Sequence, residues 1–174
     1  MTIKNTHFNR KDILQDAGLL KCPKCYRDYK FLSALVVGAL VLWLIQDVVP
    51  VFKSEQVLTI TVLFSLIVWQ PVIEEILFRG VLQGQLLKYK WAQHTVIGIT
   101  MGNVVVSILF VSVHLVNVTA VWSLLVFFPS IVFGYLRDTY RSVYPSIIAH
   151  MSYNVFVVVG LYINGNAVFD FGVL

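Results

Sequence analysis

Charged residues are scarce in this chain, and their scarcity limits the class of protein it can be. Asp, Glu, Lys and Arg make up 13% of its 174 residues, against 58% that are hydrophobic, and the mean hydropathy is +0.80. An ordinary soluble domain carries about 25% charged residues, so this composition excludes a protein whose whole surface faces water. The long apolar runs do not alternate with period two, which argues against a transmembrane β-barrel as well.

The apolar runs predict a helical bundle in a membrane. A helix needs about 20 mainly apolar residues to cross a bilayer, and several stretches come close to that length. We therefore expect an all-α polytopic membrane helix bundle of about five transmembrane helices. Residues 1–30 would form a basic N-terminal segment, residues 31–163 the transmembrane domain and residues 164–174 a short C-terminal tail. The predicted spans are 31–52, 57–82, 95–116, 120–136 and 143–163.

Basic residues concentrate on one side of this predicted topology. Residues 1–30 carry seven Lys and Arg against three Asp, and the chain has no aromatic-and-basic motif that would indicate a nucleic acid partner. Contact with anionic membrane lipid explains this charge, and the positive-inside rule places the N-terminus in the cytoplasm and the C-terminus outside. The first apolar run begins at Phe31, which favours a retained anchor over a cleaved signal peptide. The inner loops hold Lys88, Lys90, Arg137 and Arg141, and the outer loops hold Lys53.

The chain has two cysteines, which form the motif Cys22-Pro-Lys-Cys25. Structural zinc takes four ligands, and a second cysteine pair is missing. His7 or a second copy of the chain could complete a metal site, and the pair could also exchange thiols. The preferred interpretation is a reduced cytoplasmic pair beside the membrane.

Two adjacent glutamates and an arginine interrupt the second apolar stretch. Ionisable groups within a bilayer are costly and tend to mark function. Glu75 and Arg79 are spaced i,i+4, so they can form an ion pair on one helix face. Glu74 is turned about 100° away and can face a cavity as a general base. Pro71 should kink the helix and free a nearby carbonyl. Alternatively, the three charges sit solvated at the inner membrane boundary.

Two histidines and an asparagine lie within the third and fifth apolar stretches. His150 and Asn154 are spaced i,i+4, so both can point at one substrate carbonyl. His114 ends the third stretch, and histidine can relay protons, donate to an oxyanion or bind a metal. A lone histidine in an apolar helix is more often a structural residue, but here two accompany an acidic pair. Counting along the helices places His114 nearer the outer face than Glu74, unless tilt, the Pro71 kink or a late start of the third span brings them level.

Three ordered motifs resemble those of the CPBP intramembrane peptidases. They are Glu74-Glu75-x-x-x-Arg79, Phe110-x-x-x-His114 and His150-x-x-x-Asn154. That family includes the CAAX prenyl endoproteases and bacterial proteins described as abortive-infection or bacteriocin-immunity proteins. The resemblance covers residues 70–154 and implies a helical membrane peptidase.

The resemblance also implies roles for the motif residues. Glu74 would activate water with help from His114, and His150 with Asn154 would stabilise the oxyanion. Glu75 and Arg79 would support the site, together with Phe110 of the second motif. The implied partners are membrane lipid and a hydrophobic or lipidated peptide substrate, and the implied location is a bacterial cell membrane. The substrate would be a prenylated tail or a bacteriocin or signalling peptide precursor, which we expect to reach the site from the cytoplasmic side.

We expect a site that works without a cofactor, although zinc is a possible alternative. Glu74, His114 and His150 could supply a catalytic ligand set, but the chain lacks the HExxH pattern that places two ligands and a base on one helix. Two non-enzymatic alternatives also fit the polar residues. One is a membrane immunity protein that binds a peptide, and the other is a small transporter that uses Glu74 as a proton carrier.

Overall fold

The computed structural model describes residues 14–20, 22, 24–46, 48–52, 56–165 and 167–170. Six helices account for most of these residues, and four short strands and a 3-10 turn, Cys25–Arg27, account for others. The helices are α1 (Tyr29–Gln46), α2 (Ile60–Leu86), α3 (Lys90–Gln93), α4 (Met101–His114), α5 (Ala120–Tyr140) and α6 (Tyr144–Ile163). The strands are β1 (Gln56–Thr59), β2 (Thr95–Val96), β3 (Ile99–Thr100) and β4 (Ala167–Asp170).

Four helices, α1, α2, α5 and α6, are long and apolar enough to cross a membrane, and α4 is a shorter apolar helix. The prediction of a polytopic helical bundle is therefore confirmed. The predicted third span differs most, because its first residues form a β2–β3 hairpin with Ile97 and Gly98 at positive φ. Thr100 then caps α4, as its side chain accepts a hydrogen bond from the Asn103 N–H.

The other predicted span boundaries differ by a few residues, for reasons of local chemistry. Helix α1 ends at Gln46 instead of residue 52, and Pro50, which has no N–H, follows shortly after. Helix α2 begins at Ile60 because Thr59 accepts a hydrogen bond from the Val62 N–H, and it continues to Leu86.

Helix α2 contains two π-helical stretches, Ser65–Trp69 and Ile76–Gln83, which flank the segment that carries Glu74. In the first, the Gln70 N–H donates to the Ser65 carbonyl, five residues back. The next bond of that type would need an N–H from Pro71, which has none. The Leu66 carbonyl is thereby left for another donor, as the sequence suggested for a carbonyl near Pro71.

Helix α6 lies at the centre of the bundle and packs on α1, α5 and the first half of α2, while α4 packs on α5 and the second half of α2. Close crossings use glycine, as is common between membrane helices. Gly38 of α1 lies directly against the Tyr153 side chain of α6, whose hydroxyl donates to the Ala34 carbonyl at 2.6 Å. A part-buried hydrogen bond thus joins α1 and α6 where Gly38 lets the two helices approach closely.

The N-terminal segment packs on one end of the bundle, hereafter the N-terminal end. The Asp16 carboxylate pairs with Lys88 at 2.8 Å, the Val143 N–H donates to the Gly18 carbonyl at 2.9 Å, and the Ser142 hydroxyl donates to the Leu20 carbonyl at 2.8 Å. These contacts bring Asp16, Gly18 and Leu20 to the same end as two of the predicted inner loops.

The opposite end of the bundle, hereafter the far end, is held by backbone pairing. Phe52 bridges to Val118, and the Thr119 hydroxyl donates to the Pro50 carbonyl at 2.7 Å. Strands β1 and β4 pair in parallel, with Gln56 opposite Ala167. The helices therefore alternate in direction between two distinct ends, as the predicted topology requires.

Candidate active site

A cavity of about 450 Å³ lies within the bundle and brings together the motif residues from three helices. Helix α2 contributes Glu74, α4 contributes Phe110 and His114, and α6 contributes His150 and Asn154. The remaining lining is mostly apolar: Leu42, Val51, Phe52, Leu66, Gln70, Val113, Asn117, Val118, Trp122, Val126, Pro129, Phe133, Tyr153, Val157, Val158 and Leu161. The structure thus places residues distant in sequence around one partly polar space.

Glu75 and Arg79 lie beside this cavity, completely buried. The Arg79 Nε atom is 3.3 Å from Glu75 Oε2, so the i,i+4 pair expected from the spacing is present. Arg79 also donates through Nη2 to the Ser130 hydroxyl at 2.8 Å, and its guanidinium carbon lies 5.0 Å from the centre of the Phe110 ring. Removing one partner of such a buried pair typically costs about 3–5 kcal/mol.

Glu74 faces the cavity while its neighbour Glu75 is withdrawn into the bundle. The side chain of Glu74 retains 26% of its exposure and that of Glu75 none, and Glu74 Oε2 lies 3.8 Å from His150 Nε2. The helical step between adjacent residues produces this division, since it turns the two side chains about 100° apart. Glu75 is therefore paired and fully buried, whereas Glu74 is partly exposed beside the cavity.

His150 links the two glutamates. Its Nδ1 atom is 3.0 Å from Glu75 Oε1, and a carboxylate can only accept, so Nδ1 carries the proton. The ring stacks on Phe133 with centroids 4.7 Å apart and planes at 19°. These two contacts fix the ring and direct Nε2 towards Glu74 and the cavity.

His114 lines the same cavity because α4 begins late, at Met101. Of the three ways considered for bringing it level with Glu74, a late start is therefore present in the structure. Its Nδ1 atom lies 2.9 Å from the Phe110 carbonyl oxygen, so Nδ1 is the donor. A neutral His114 then has its lone pair on Nε2, where it can accept a hydrogen bond.

Asn154 donates one of its amide protons to a carbonyl of α2 that has no backbone donor. Its Nδ2 atom donates to the Leu66 carbonyl at 2.7 Å, the carbonyl that Pro71 leaves without a backbone donor. A primary amide has two N–H groups, so one remains for the cavity. The sequence placed Asn154 on the face of His150 but gave no indication of this bond to α2.

Ser130 and Phe133 on α5 are site neighbours that the sequence analysis did not identify. Ser130 accepts from Arg79, and Phe133 stacks on His150. Both lie in an apolar run without a motif. The hydroxyl of Ser130 in that run was the one feature that could have indicated a site neighbour. Helix α5 therefore supports the site from behind the buried ion pair.

A second polar cluster fills the bundle between the buried ion pair and the N-terminal end. Gln83 donates to the Gly134 carbonyl at 3.1 Å and to Asp138 Oδ1 at 2.8 Å, and Thr100 donates to Asp138 Oδ2 at 2.8 Å. Arg137 donates through Nε to the Arg79 carbonyl at 3.1 Å. This cluster was not foreseen either, because its members come from α2, β3 and α5.

The zinc alternative depends on which donor atoms face the cavity. Within the described part of the chain, no group of three or more His, Cys, Asp and Glu side chains is arranged to hold a metal ion. His150 Nδ1 and His114 Nδ1 are engaged with Glu75 and a carbonyl, so Nε2 is the ring nitrogen of each that is left for the cavity, as it also is in many metal-ligating histidines. Metal independence of the site stays a prediction.

The two cysteines are free thiols in the structure. The Cys25 Sγ–H donates to the Cys22 carbonyl at 2.5 Å, and Cys25 is buried. Burial raises the pKa of the Cys25 thiol from 9.0 to about 12, assisted by the hydrogen bond and charge of Cys22. His7, considered as an additional zinc ligand, lies outside the described residues.

The polytopic helical bundle thus holds adjacent glutamates, two histidines and an asparagine around or beside one cavity. Residues 56–156, more than half of the chain, match the family described as type II CAAX prenyl endopeptidase Rce1-like. The chain belongs to this family of membrane proteases, as the resemblance of its motifs indicated. No curated protein and no solved structure matched the chain. Bacteriocin immunity therefore rests on the resemblance alone.

Proposed function

We propose that the chain is an intramembrane endopeptidase that hydrolyses a peptide bond in a hydrophobic or lipidated, membrane-associated peptide. The observation that carries the proposal is the unequal environment of two adjacent glutamates. Glu75 is engaged by Arg79 and His150, whereas Glu74 borders the cavity with a partly exposed carboxylate. A carboxylate free to accept a proton beside two histidines suits the activation of water.

In the proposed reaction, a water molecule lies between Glu74 and His114. The oxygen of the water attacks the substrate carbonyl carbon while Glu74 takes one proton from that water. His114 Nε2 accepts a hydrogen bond from the water and orients it. The protonated Glu74 then gives its proton to the departing amine when the C–N bond breaks. Water is thereby divided between the two products, and Glu74 returns to its initial state.

His150 and Asn154 would stabilise the negative charge that develops on the carbonyl oxygen. Protonated His150 donates through Nε2, since Nδ1 is held by Glu75, and Asn154 donates through its second amide proton. Donors fixed before the reaction starts are the most effective kind for an oxyanion.

The test is cleavage of a panel of hydrophobic and prenylated peptides by purified protein. Glu74→Gln keeps the shape of the side chain but cannot take the proton, so we expect a loss of about 10²–10⁴-fold in kcat. The matched control is Ile73→Ala, at the adjacent, exposed residue, which should stay within about twofold of the wild type. Each protein is assayed with and without chelator.

The outcomes separate the proposal from its rivals. Cleavage lost in Glu74→Gln and unchanged by chelator supports a metal-free glutamate mechanism. Loss with chelator and recovery with zinc would overturn the metal-free part. Peptide that binds the wild type and Glu74→Gln equally, without cleavage by either, would favour a non-catalytic peptide-binding protein.

A further inference from the structure

The last turn of α5 carries an adjacent basic and acidic residue, Arg137 and Asp138. Their side chains are only 10% and 16% exposed, and Arg137 Nη1 lies 3.2 Å from Asp138 Oδ1. A carboxylate held so far from water needs hydrogen-bond donors as well as an opposite charge. Neither residue is part of the lining of the cavity around Glu74, so their contacts indicate a role other than direct contact with a substrate.

Asp138 joins α2 to α4 through its two oxygen atoms. Gln83 of α2 donates through Nε2 to Oδ1 at 2.8 Å, and the Thr100 hydroxyl at the start of α4 donates to Oδ2, also at 2.8 Å. The same hydroxyl accepts the Asn103 N–H and so caps α4. One carboxylate on α5 therefore fixes two neighbouring helices, each through a different oxygen.

Arg137 holds the backbone of the helix that carries the glutamates. Its Nε atom donates to the Arg79 carbonyl at 3.1 Å. A Cβ atom on Gly84 would stand 3.1 Å from Arg137 Nη2, so the guanidinium lies directly against α2 where that helix has no side chain. Arg79 belongs to the π-helical stretch Ile76–Gln83 and pairs with Glu75 through its own side chain. Arg137 thus supports the backbone behind the buried ion pair.

The two helices that Asp138 joins also carry the groups proposed to activate water. Glu74 lies nine residues before Gln83 on α2, and His114 lies 14 residues after Thr100 on α4, which is about 21 Å of helical rise. The hydrogen bonds of a helix run along its axis and hold its length constant. A slip of one helix against the other at Asp138 is therefore transmitted along both axes to Glu74 and His114.

We infer that Asp138, with Arg137 as its charge partner, is a positioning residue of the proposed peptidase. It sets the axial offset of α2 against α4, and so the separation of Glu74 from His114. The inference rests on the proposed function, because it requires both of those side chains to act on one water molecule. A misplacement of about 1 Å caused far from the chemistry can lower a rate about 10²-fold.

Cleavage kinetics test this role. Asp138→Ala removes both acceptor oxygens, so we expect kcat to fall about 10²-fold while KM stays within about threefold. Asp138→Asn should recover to within about tenfold of the wild type, because its amide oxygen can accept from Gln83 and its amide N–H can donate to the Thr100 hydroxyl. The matched control is Ser142→Ala. It removes a bond of 2.8 Å to the Leu20 carbonyl at the same end of the bundle but joins neither α2 nor α4, and it should match the wild type in kcat.

A double-mutant cycle locates the effect at the contact with α4. Thr100→Val keeps the shape of the side chain and removes the hydroxyl that donates to Asp138. Thr100→Val alone should lower kcat, and adding Asp138→Ala to it should lower kcat by a smaller factor than Asp138→Ala does in the wild type. Factors that simply multiply, or a KM that rises while kcat stays constant, would overturn the inference.

A distance measurement tests the same offset without cleavage. In a protein with both cysteines replaced by serine, spin labels at Leu77→Cys on α2 and Leu109→Cys on α4 occupy exposed positions. Asp138→Ala should shift or broaden the distance distribution measured by electron paramagnetic resonance. Thr100→Val, a milder change, should shift it in the same direction, and Asp138→Asn should leave it unchanged.

Two outcomes of these experiments are kept apart. A distance distribution that is unchanged in Asp138→Ala and in Thr100→Val would overturn the positioning role. Absence of cleavage by the wild type would count against the proposed function alone, because the distances between the labels stand independently of it.

Discussion

The buried pair of Glu75 and Arg79 allows stability and catalysis to be separated by substitution. Arg79→Met removes the guanidinium and leaves the Glu75 carboxylate in a position with no exposed surface. An uncompensated buried charge costs about 3–5 kcal/mol, which lowers the ratio of folded to unfolded protein by roughly 10²- to 4 × 10³-fold. The single variant should therefore be strongly destabilised.

A second substitution should recover much of this loss. Glu75→Gln in the Arg79→Met protein removes the negative charge. The amide oxygen can still accept a hydrogen bond from His150 Nδ1, which lies 3.0 Å from Glu75 Oε1 in the wild type. What remains lost is chiefly the bond from Arg79 to Ser130, about 1 kcal/mol for an ordinary hydrogen bond and up to 3 when a charged group takes part. The double variant should be the more stable of the two.

Activity should behave differently. With a neutral amide in place of the Glu75 carboxylate, His150 loses the charge-assisted bond that holds Nδ1 and aligns Nε2, so its donation to an oxyanion is weakened. Loss of one such donor costs about 10²–10³-fold in kcat. The double variant should thus be folded but nearly inactive.

Unfolding by titration with SDS in mixed micelles, followed by tryptophan fluorescence, measures the stability, and peptide cleavage measures the activity. A double variant no more stable than Arg79→Met would show that the charge is not the source of the cost. Wild-type cleavage by the double variant would show that His150 does not need its anionic partner.

Three further predictions concern single side chains. Asn154→Ala should lower kcat about 10²–10³-fold through loss of an oxyanion donor and reduce stability by about 1–3 kcal/mol, because the Leu66 carbonyl loses its partner. Gly134→Ala should cost about 1–3 kcal/mol in SDS unfolding, because the added methyl group would collide with the Asn103 amide. With Cys22 present, a pKa of Cys25 raised from 9.0 to about 12 should slow its alkylation at pH 8 about 40-fold relative to an ordinary thiol, because the thiolate fraction falls about 10³-fold and the greater nucleophilicity of that thiolate offsets part of the loss. In a Cys22→Ser protein, which loses the contributions of Cys22 and keeps burial, the slowing should be smaller.

Controls for these variants come from the same protein. Ser152→Ala, on the exposed side of α6, should match the wild type in cleavage and in unfolding, and an Asn154→Ala protein that also matched it would contradict the oxyanion role. Unchanged unfolding of Gly134→Ala would show that Asn103 moves aside freely. Cys25 should react at the ordinary rate once SDS has unfolded the chain, and its alkylation in the folded protein should rise about tenfold for each pH unit below 12.

Features set by spacing along one helix were predictable from the sequence. The separation of Glu75 from Arg79 places them on one face, and the step from Glu74 to Glu75 turns the two acids apart; both arrangements are present. Helix periodicity determines these relations, whatever the rest of the chain does. The order of apolar runs likewise predicted the helical bundle.

Features that depend on contacts between helices were not predictable in this way. The bond from His150 to Glu75, the stacking of Phe133 and the acceptor role of Ser130 all require knowledge of which faces meet. Hydropathy also overestimated the length of the third span. The β2–β3 hairpin contains apolar residues that hydropathy does not distinguish from helix, whereas the helix begins after the cap at Thr100. Local capping and tertiary packing decided these points.

The location of the cavity shows why a count along the helix is insufficient. Glu74 lies about 21 Å of helical rise from Ile60 and about 18 Å from Leu86, so it is near the middle of α2 and equally remote from both faces. What distinguishes the faces is which half of the bundle is filled. Towards the N-terminal end, long polar side chains occupy the interior, where Arg79 donates to Ser130 and Gln83 to Asp138. Towards the far end the lining is largely apolar and leaves a cavity. Opening that cluster would leave buried polar groups without partners, which is costly. The space beside Glu74 therefore lies towards the far end, which no count along α2 could indicate.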